Sequence, residues 1–220
     1  MQGLIARKMG MEQVYDAQGR RVGVTVLEVG PCVVVQRKTL EKDGYDAAQV
    51  GFMEQKPHRV SKPELGRFTK AGVPPMKHVR EFRLQAGEDV KAGDKIAVGA
   101  VFEGVTHVDI TGVTKGRGFQ GVVKRHRMAG GPAAHGSMSH RRIGAIGQRA
   151  KPGNISKGHR MPGHMGNVTV TVQNLRIVEI RPDRNQMLVE GAVPGPRGGI
   201  VYVRRALKKS AAKSGSGAKS

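Results

Sequence analysis

The sequence predicts a mainly β fold, a small closed barrel that carries a long, irregular, basic extension. Three observations predict it. Val-rich runs recur between glycine and proline turns, apolar residues alternate along the longest of them, and charge is divided unevenly along the 220 residues. Many short strands between tight turns favour a barrel over an open sheet, because closure leaves no unpaired edge. The length suits one large domain or two small ones with a real core.

The N-terminal MQGLIARKMG is too short and too interrupted for a signal peptide. Residues 20–38, RRVGVTVLEVGPCVVVQRK, read as two strands broken at Gly30-Pro31, with the proline opening the second. Cys32 is the single cysteine. Inside PCVVV it reads as a small buried hydrophobe, excludes a disulfide framework and suits a reducing compartment. In SKPELGRFTKAG, Ser61 and Glu64 have capping-box spacing, Pro63 lies in the first turn and Gly72 can cap the C-terminus, so a helix is expected over 61–72. GEDVKAGDKIAVGAVF, 87–102, is expected to hold short strands around Gly93-Asp94. In NVTVTVQNLRIVEI, Val168, Val170 and Val172 face one way while Thr169, Thr171 and Gln173 face the other. PDRN then turns the chain into QMLVEGAV and PGPRGG turns it into IVYVRR, an expected three-stranded meander.

Between these runs the chain changes character. The alternating VDITGV reads as a strand, GRGFQG (Gly116–Gly121) follows it, and a short helix is expected from Phe119 to Arg127. From Met128 to Gly166 there is no apolar alternation, only sequence dense in Gly, Pro, His and Arg. Such a segment cannot bury enough apolar surface to fold as a domain of its own, and a loop of this length needs something else to order it. The expected organisation is a barrel body over 1–109 and 167–207 with a helical insertion near 61–72. Residues 110–166 supply a strand, the short helix and the extension, and 208–220 form a basic, low-complexity, flexible tail.

Charge says what could order the extension. Lys and Arg number 38 against 17 Asp and Glu, a net charge of +21. Residues 110–178 hold 12 Lys or Arg and no acid, and Val203–Ser220 add 6 more, again with no acid. The other 133 residues carry 20 basic and 17 acidic side chains. A merely solvated face would mix its signs, so a polyanionic partner is expected. No apolar run approaches the ~18 residues of a membrane span, and a soluble cytosolic chain with no membrane partner is expected.

Other chemistries fit the extension poorly. GRGFQG matches G-x-G-x-x-G, but a dinucleotide site also needs a second parallel strand that presents an acid or an arginine for the ribose. The region that follows is AAHGSMSHRR, with no strand to place Arg141 or Arg142. No nucleotide cofactor is expected, and nothing matches a P-loop. His126, His135, His140, His159 and His164 fall within 39 residues, but no Asp, Glu or Cys accompanies them, and adjoining arginines would repel a cation. No metal is expected. Ser137 and Ser139 near His135 and His140 lack an acidic orienter for nucleophilic catalysis. What remains is nucleic acid. Lys and Arg neutralise phosphates, glycine lets backbone N–H groups approach them, and neutral His stacks on bases. The expected contacts are Lys115, Gly116, Arg117 and Gly118; Lys124, Arg125, His126 and Arg127; His135, His140, Arg141 and Arg142; Arg149 and Lys151; and Lys157, His159, Arg160 and His164. Long irregular basic extensions suit the crevices of folded RNA better than regular duplex grooves.

Several stretches together carry a resemblance: GLIARKMGM, EVGPCVVVQRKT, DGYDAAQVGF, VDITGVTKGRGFQGVVKRH, GGPAAHGS, GAIGQR, KGHRMPGHMGN and VEGAVPGPRGG. Over residues 1 to 207 the chain resembles the bacterial form of the large ribosomal subunit protein L-three family. The resemblance implies a translation-protein-type β-barrel with a small α/β insertion and a long central extension. It implies a structural role, with no catalytic residues, in which the body lies on the subunit surface. The extension then threads through large-subunit rRNA toward the peptidyl transferase centre, and the protein nucleates assembly of the 3′ part of that RNA among neighbouring ribosomal proteins. The glutamine of the family's G-[SA]-I-G-Q motif, which bacterial members can carry as N5-methylglutamine, falls on Gln148; a glutamine methyltransferase is then a further partner. Some members carry Trp where this chain has His126. The tail beyond Leu207 looks like a lineage-specific addition. The alternative from the residues alone is an RNA-directed enzyme or translation factor sharing a barrel; the acid-free extension offers such an enzyme no carboxylate, though the body's acids remain.

Overall fold

In a computed structural model describing residues 1–16, 18–85 and 87–209, twelve strands and four α-helices fall among the described residues. In chain order they are β1 (Gly3–Tyr15), β2 (Arg21–Val29), β3 (Cys32–Lys38), α1 (Leu40–Asp43), β4 (Ala47–Glu54), α2 (Lys62–Ala71), β5 (Met76–Arg83), β6 (Lys95–Ile96) and α3 (Val98–Phe102). They continue as β7 (His107–Val113), β8 (Gly118–Gln120), α4 (Val122–His126), β9 (Gly163–Met165), β10 (Thr169–Arg181), β11 (Gln186–Glu190) and β12 (Ile200–Arg205). The chain divides into two compact units. One is Met1–Val113 together with the chain from Thr169 onward; the other is Thr114–Val168.

The first unit contains a closed barrel in the order β1-β12-β7-β10-β11-β2. Its interior follows from alternation along antiparallel strands, where directly paired residues point to the same face. The row Leu4, Val203, Ile110, Val172 runs across four strands, and the row Ala6, Val201, Gly112, Val170 runs beside it. Leu4, Ile110 and Val203 are fully buried. A side chain at Gly112 would press on Val201 and Pro194, so the second row is closed by their bulk. The expected alternation of β10 holds in register as far as Val172, although Val168 and Val170 are exposed, and the hydroxyls of Thr171 and Thr111 meet at 2.8 Å on the other face. A bulge then shifts the register before Leu175, with Asn174 in the left-handed region.

A four-stranded sheet, β5-β4-β3-β6, completes this unit, and Val34, Val50 and Phe82 from it join the barrel's core cluster. On its other side Phe68 of α2 packs with Val33, Val35, Val73 and Met76. The helix has its expected bounds, and Gly72 adopts φ 66° while its N–H bonds to the carbonyls of Phe68 and Thr69. The capping box does not form as expected. Ser61 Oγ donates to Glu64 Oε2 at 2.8 Å, so the hydroxyl serves the carboxylate rather than the helix amides.

Three other expectations need correction. IVYVRR does not extend a meander: both edges of β11 are taken by β2 and β10, so β12 crosses to lie between β1 and β7. Around Gly93-Asp94 only Lys95–Ile96 is a strand. Val98, Val101 and Phe102 have helical spacing, form α3 and are buried on one face. The helix expected over 119–127 is shorter, because Phe119 and Gln120 pair with β9 as a strand and α4 begins at Val122. Of the tail over 208–220, residues 210–220 lie outside the described residues.

The second unit has little interior. Val122 is the buried hydrophobic side chain among its described residues. Its order comes from backbone pairing: Thr114 N–H donates to the Val168 carbonyl at 2.9 Å, β8 pairs with β9, and Gly131 N–H donates to the His140 carbonyl at 2.7 Å.

Cys32 is fully buried, as the sequence predicts, and its thiol donates to the Ile5 carbonyl at 3.6 Å. Burial pushes the thiol from an ordinary 9.0 up to about 11. The neutral form is favoured in the fold, so this contribution to stability is present below the unfolded pKa and is lost as pH rises from about 9 towards 11. At pH 8, iodoacetamide should label the native thiol at least about tenfold more slowly than the urea-unfolded chain, as read by mass spectrometry. Equal labelling rates would show that this site opens freely.

Candidate nucleic-acid interface

The second unit carries eleven Lys and Arg and no acid between Thr114 and Val168. In the body, by contrast, cations meet carboxylates: Arg7 and Glu28 at 2.6 Å, Lys38 and Glu81 at 3.1 Å, Arg176 and Glu190 at 2.6 Å, Arg181 and Glu179 at 2.8 Å. The Tyr45 hydroxyl donates to Glu81 and, with Lys38 beside it, holds that carboxyl below the ordinary carboxylate range. The buried acid among the described residues is Asp109. Its two oxygens accept the backbone N–H groups of Asn174 (2.8 Å) and Leu207 (3.3 Å), so it pins the β10 bulge and the end of β12.

The expected contact residues fall into three local groups. The first is the β8–β9 ribbon, where Gly118 pairs with Met165, Phe119 with His164 and Gln120 with Gly163. Arg117 N–H donates to the Met165 carbonyl at 2.9 Å and extends the pairing. Lys115, Arg117 and His164 are exposed here. The second is the loop 130–142, closed where Gly131 meets His140 and tightened by Arg142 N–H donating to the Ser139 carbonyl at 2.6 Å. His135 and His140 both take left-handed φ, 57° and 32°, and they, Arg141 and Arg142 are exposed. The third is the loop around Gln148. A Cβ placed on Gly147 would stand 3.7 Å from the Asn154 carbonyl, so 148–154 form a closed turn that displays Gln148, Arg149 and Lys151 to solvent. Lys157, His159 and Arg160 are exposed on the return path, where His159 N–H bonds back to the Ser156 carbonyl at 3.2 Å.

Two of the expected contacts also brace the backbone. Arg125 Nη1 donates to the Met161 carbonyl at 2.7 Å, and His126 Nε2 lies 3.0 Å from the same oxygen. A carbonyl only accepts, so Nε2 carries the proton in this contact. Both side chains are half-buried and clamp α4 to the chain entering β9. The other ten cations of the unit are exposed. Gly118 also has a structural reason to be glycine. Its φ of 67° is one that an L side chain rarely adopts, so the ribbon itself requires glycine there. Gly121 has an ordinary extended φ of −71° and open space around it, and its lack of a side chain answers no need of the fold.

One exposed residue escaped the sequence reading. Phe119 is 76% exposed, whereas Phe52, Phe68, Phe82 and Phe102 are all at 4% or below. The signal was available: the four buried phenylalanines sit among apolar or amphipathic neighbours, and this one stands in GRGFQG. Among the described residues no group of three His, Cys, Asp or Glu side chains is placed to hold a metal, and no helix is long and apolar enough to cross a membrane.

Arg125→Ala should loosen the ribbon without touching the barrel. A hydrogen bond from a charged donor contributes about 1.5–3 kcal/mol. The amide of Arg117 should therefore exchange with deuterium at least about tenfold faster, while the amide of Ile110 is unchanged. Unchanged exchange at Arg117 would mean the clamp is not what holds β8 to β9.

A family model described as Ribosomal protein L3 matches residues 78–187. The chain is 50% identical to the large ribosomal subunit protein uL3 of Anaeromyxobacter dehalogenans, over 94% of this chain and 91% of the relative. It is 47% identical to the protein of that name from Corynebacterium diphtheriae, over 96% and 97% respectively, and to that of Corynebacterium jeikeium to the same degree.

Proposed function

Because this chain belongs to the ribosomal protein L3 family, we propose that its acid-free unit is the surface through which it binds large-subunit rRNA. As a constituent of the large ribosomal subunit it is a structural component rather than an enzyme, and its place is the cytoplasm. The observation that carries the RNA reading is the contrast between the two units. Body cations such as Arg7, Lys38, Arg176 and Arg181 lie against carboxylates, and 17 acids stand among the body's 27 cations, while ten exposed cations in the second unit have no acid within it. RNA phosphates supply the missing charge, and turns rich in glycine let backbone N–H groups come close to them.

On this reading Lys115, Arg117, Lys124 and Arg127 engage phosphates around the ribbon, and Arg141, Arg142, Lys157 and Arg160 do so along the loops. His135, His140, His159 and His164 add hydrogen bonds or stacking. Arg125 and His126 act on RNA through the backbone they hold. The loop at Gln148 reaches toward the peptidyl transferase centre, and the protein nucleates assembly near the 3′ end of the RNA. Gln148 is the candidate for N5-methylation, and its exposure leaves the amide accessible to a glutamine methyltransferase. The resemblance supports these finer statements, and the exposure of every cation except Arg125 agrees with them.

RNA affinity should fall steeply with salt. If about eight phosphates are neutralised, the slope of log affinity against log salt is roughly −6. A slope near −1 for the full chain on a large-subunit rRNA fragment would overturn the reading. Gln148→Ala should leave the thermal midpoint of the free protein within about 2 °C, since surface changes stay within about 0.5 kcal/mol. It should nonetheless alter subunit profiles or peptide-bond formation in cells carrying the variant. Unaltered behaviour in both would remove Gln148 from the functional surface.

A further inference from the structure

We propose that the β8–β9 ribbon is a stacking platform for one unpaired base of RNA, with the ring of Phe119 as its contact surface. The inference rests on the RNA reading of the second unit and names what one part of that unit recognises. It starts from the burial of the phenylalanines. Four of the five lie at 4% exposure or below, and Phe119 at 76% leaves almost its whole ring in water.

The ring is held out by a braced backbone. Phe119 pairs directly with His164, so the two side chains share one face of the ribbon, and both are exposed. Below that pair, Arg125 and His126 grip the Met161 carbonyl, Arg117 N–H grips the Met165 carbonyl, and Gln120 Nε2 donates back to the Arg117 carbonyl. A partner therefore meets an aromatic surface whose backbone is already in place, which lowers the ordering cost of binding. Access is open as well, because a Cβ on either Gly118 or Gly121 would meet nothing within 4 Å.

The chemistry of the surroundings selects the occupant. An exposed apolar ring could be covered by protein or by a base. Around this one the chain offers Lys115, Arg117 and Lys124, all exposed, and no acid anywhere in the unit. A base brings its own phosphate, so one nucleotide satisfies both the ring and the cations. Stacking does not read sequence, since every base has a π face, and it requires a base that is out of a duplex. The platform is thus specific for single-stranded RNA, whereas the cations alone would accept a duplex equally well.

The chain contains no tryptophan, so Phe119→Trp places a unique fluorophore on the platform. Binding of the full-length variant to a twelve-residue oligouridylate should quench that emission, and binding to a twelve-base-pair RNA duplex should leave it nearly unchanged. Phe119→Leu should weaken oligouridylate binding about tenfold, within the range for losing one base–aromatic stack. Its salt slope and duplex affinity should stay at wild-type values. Full affinity in Phe119→Leu together with unquenched Trp emission overturns the platform while leaving the RNA reading intact. If the wild-type chain shows no salt-dependent RNA binding at all, the RNA reading fails and takes the platform with it. Photocrosslinking from position 119 in the intact large subunit separates the two occupants: an rRNA nucleotide is expected, and a crosslink to a neighbouring protein overturns the proposal.

Discussion

Eleven cationic side chains between Thr114 and Val168 have no carboxylate in that stretch to answer them. At physiological ionic strength charges are screened over about 8 Å, so neighbours such as Arg141 and Arg142 still repel each other. Apolar burial offers little to offset that repulsion, because Val122 is the buried hydrophobic residue of the unit. The local structure depends instead on backbone hydrogen bonds at the Thr114–Val168 neck, along the β8–β9 ribbon and in tight turns. Turn geometry sets the path of the chain, and the electrostatics is left to be completed from outside. Arg125 is the instructive exception, since its guanidinium braces the backbone through a carbonyl oxygen.

The body solves the opposite problem. Its rows of Leu, Ile and Val fill a closed barrel, and each exposed ion pair on its surface is worth only about 0–1 kcal/mol. Those pairs matter less for stability than for sign. Arg7, Lys38, Arg176 and Arg181 lie against carboxylates, and the body's 17 acids offset its 27 cations in part, whereas nothing offsets the eleven cations of the 55-residue second unit, so positive potential per residue is highest there. Asp109 follows the same logic inward, its charge absorbed by two backbone amides.

Alternation made β2, β7 and β10 readable, because Val or Ile recurs at every second position along part of each, and β3 was readable as a Val-rich run opened by Pro31. The α2 helix was readable from its two ends. Strands β1, β4 and β5 were not, since GLIARKMGMEQVY, AAQVGFME and MKHVREFR mix apolar, small and charged residues without a clean period. Their pairing is tertiary, decided by what lies across the sheet. The order of β11 and β12 was misread for a related reason: sequence proximity suggests neighbours, but β11 already had two. In the interface, charge was fully legible while roles were not. Nothing in KRH distinguishes an Arg that meets solvent from one that grips Met161, and the left-handed φ of Gly118 is invisible without the ribbon that imposes it.

Val113 and Thr169 are direct partners across two barrel strands, and the next pair outward, Thr114 and Val168, continues the ladder. In topological terms the 55 residues from 114 through 168 are an elaborated hairpin loop. Lengthening such a loop costs chain entropy only logarithmically, about 0.6 kcal/mol for each doubling. Selection can therefore lengthen, shorten or rewrite the insert to follow the contours of its partner, while the cylinder that anchors it stays closed and keeps its own register.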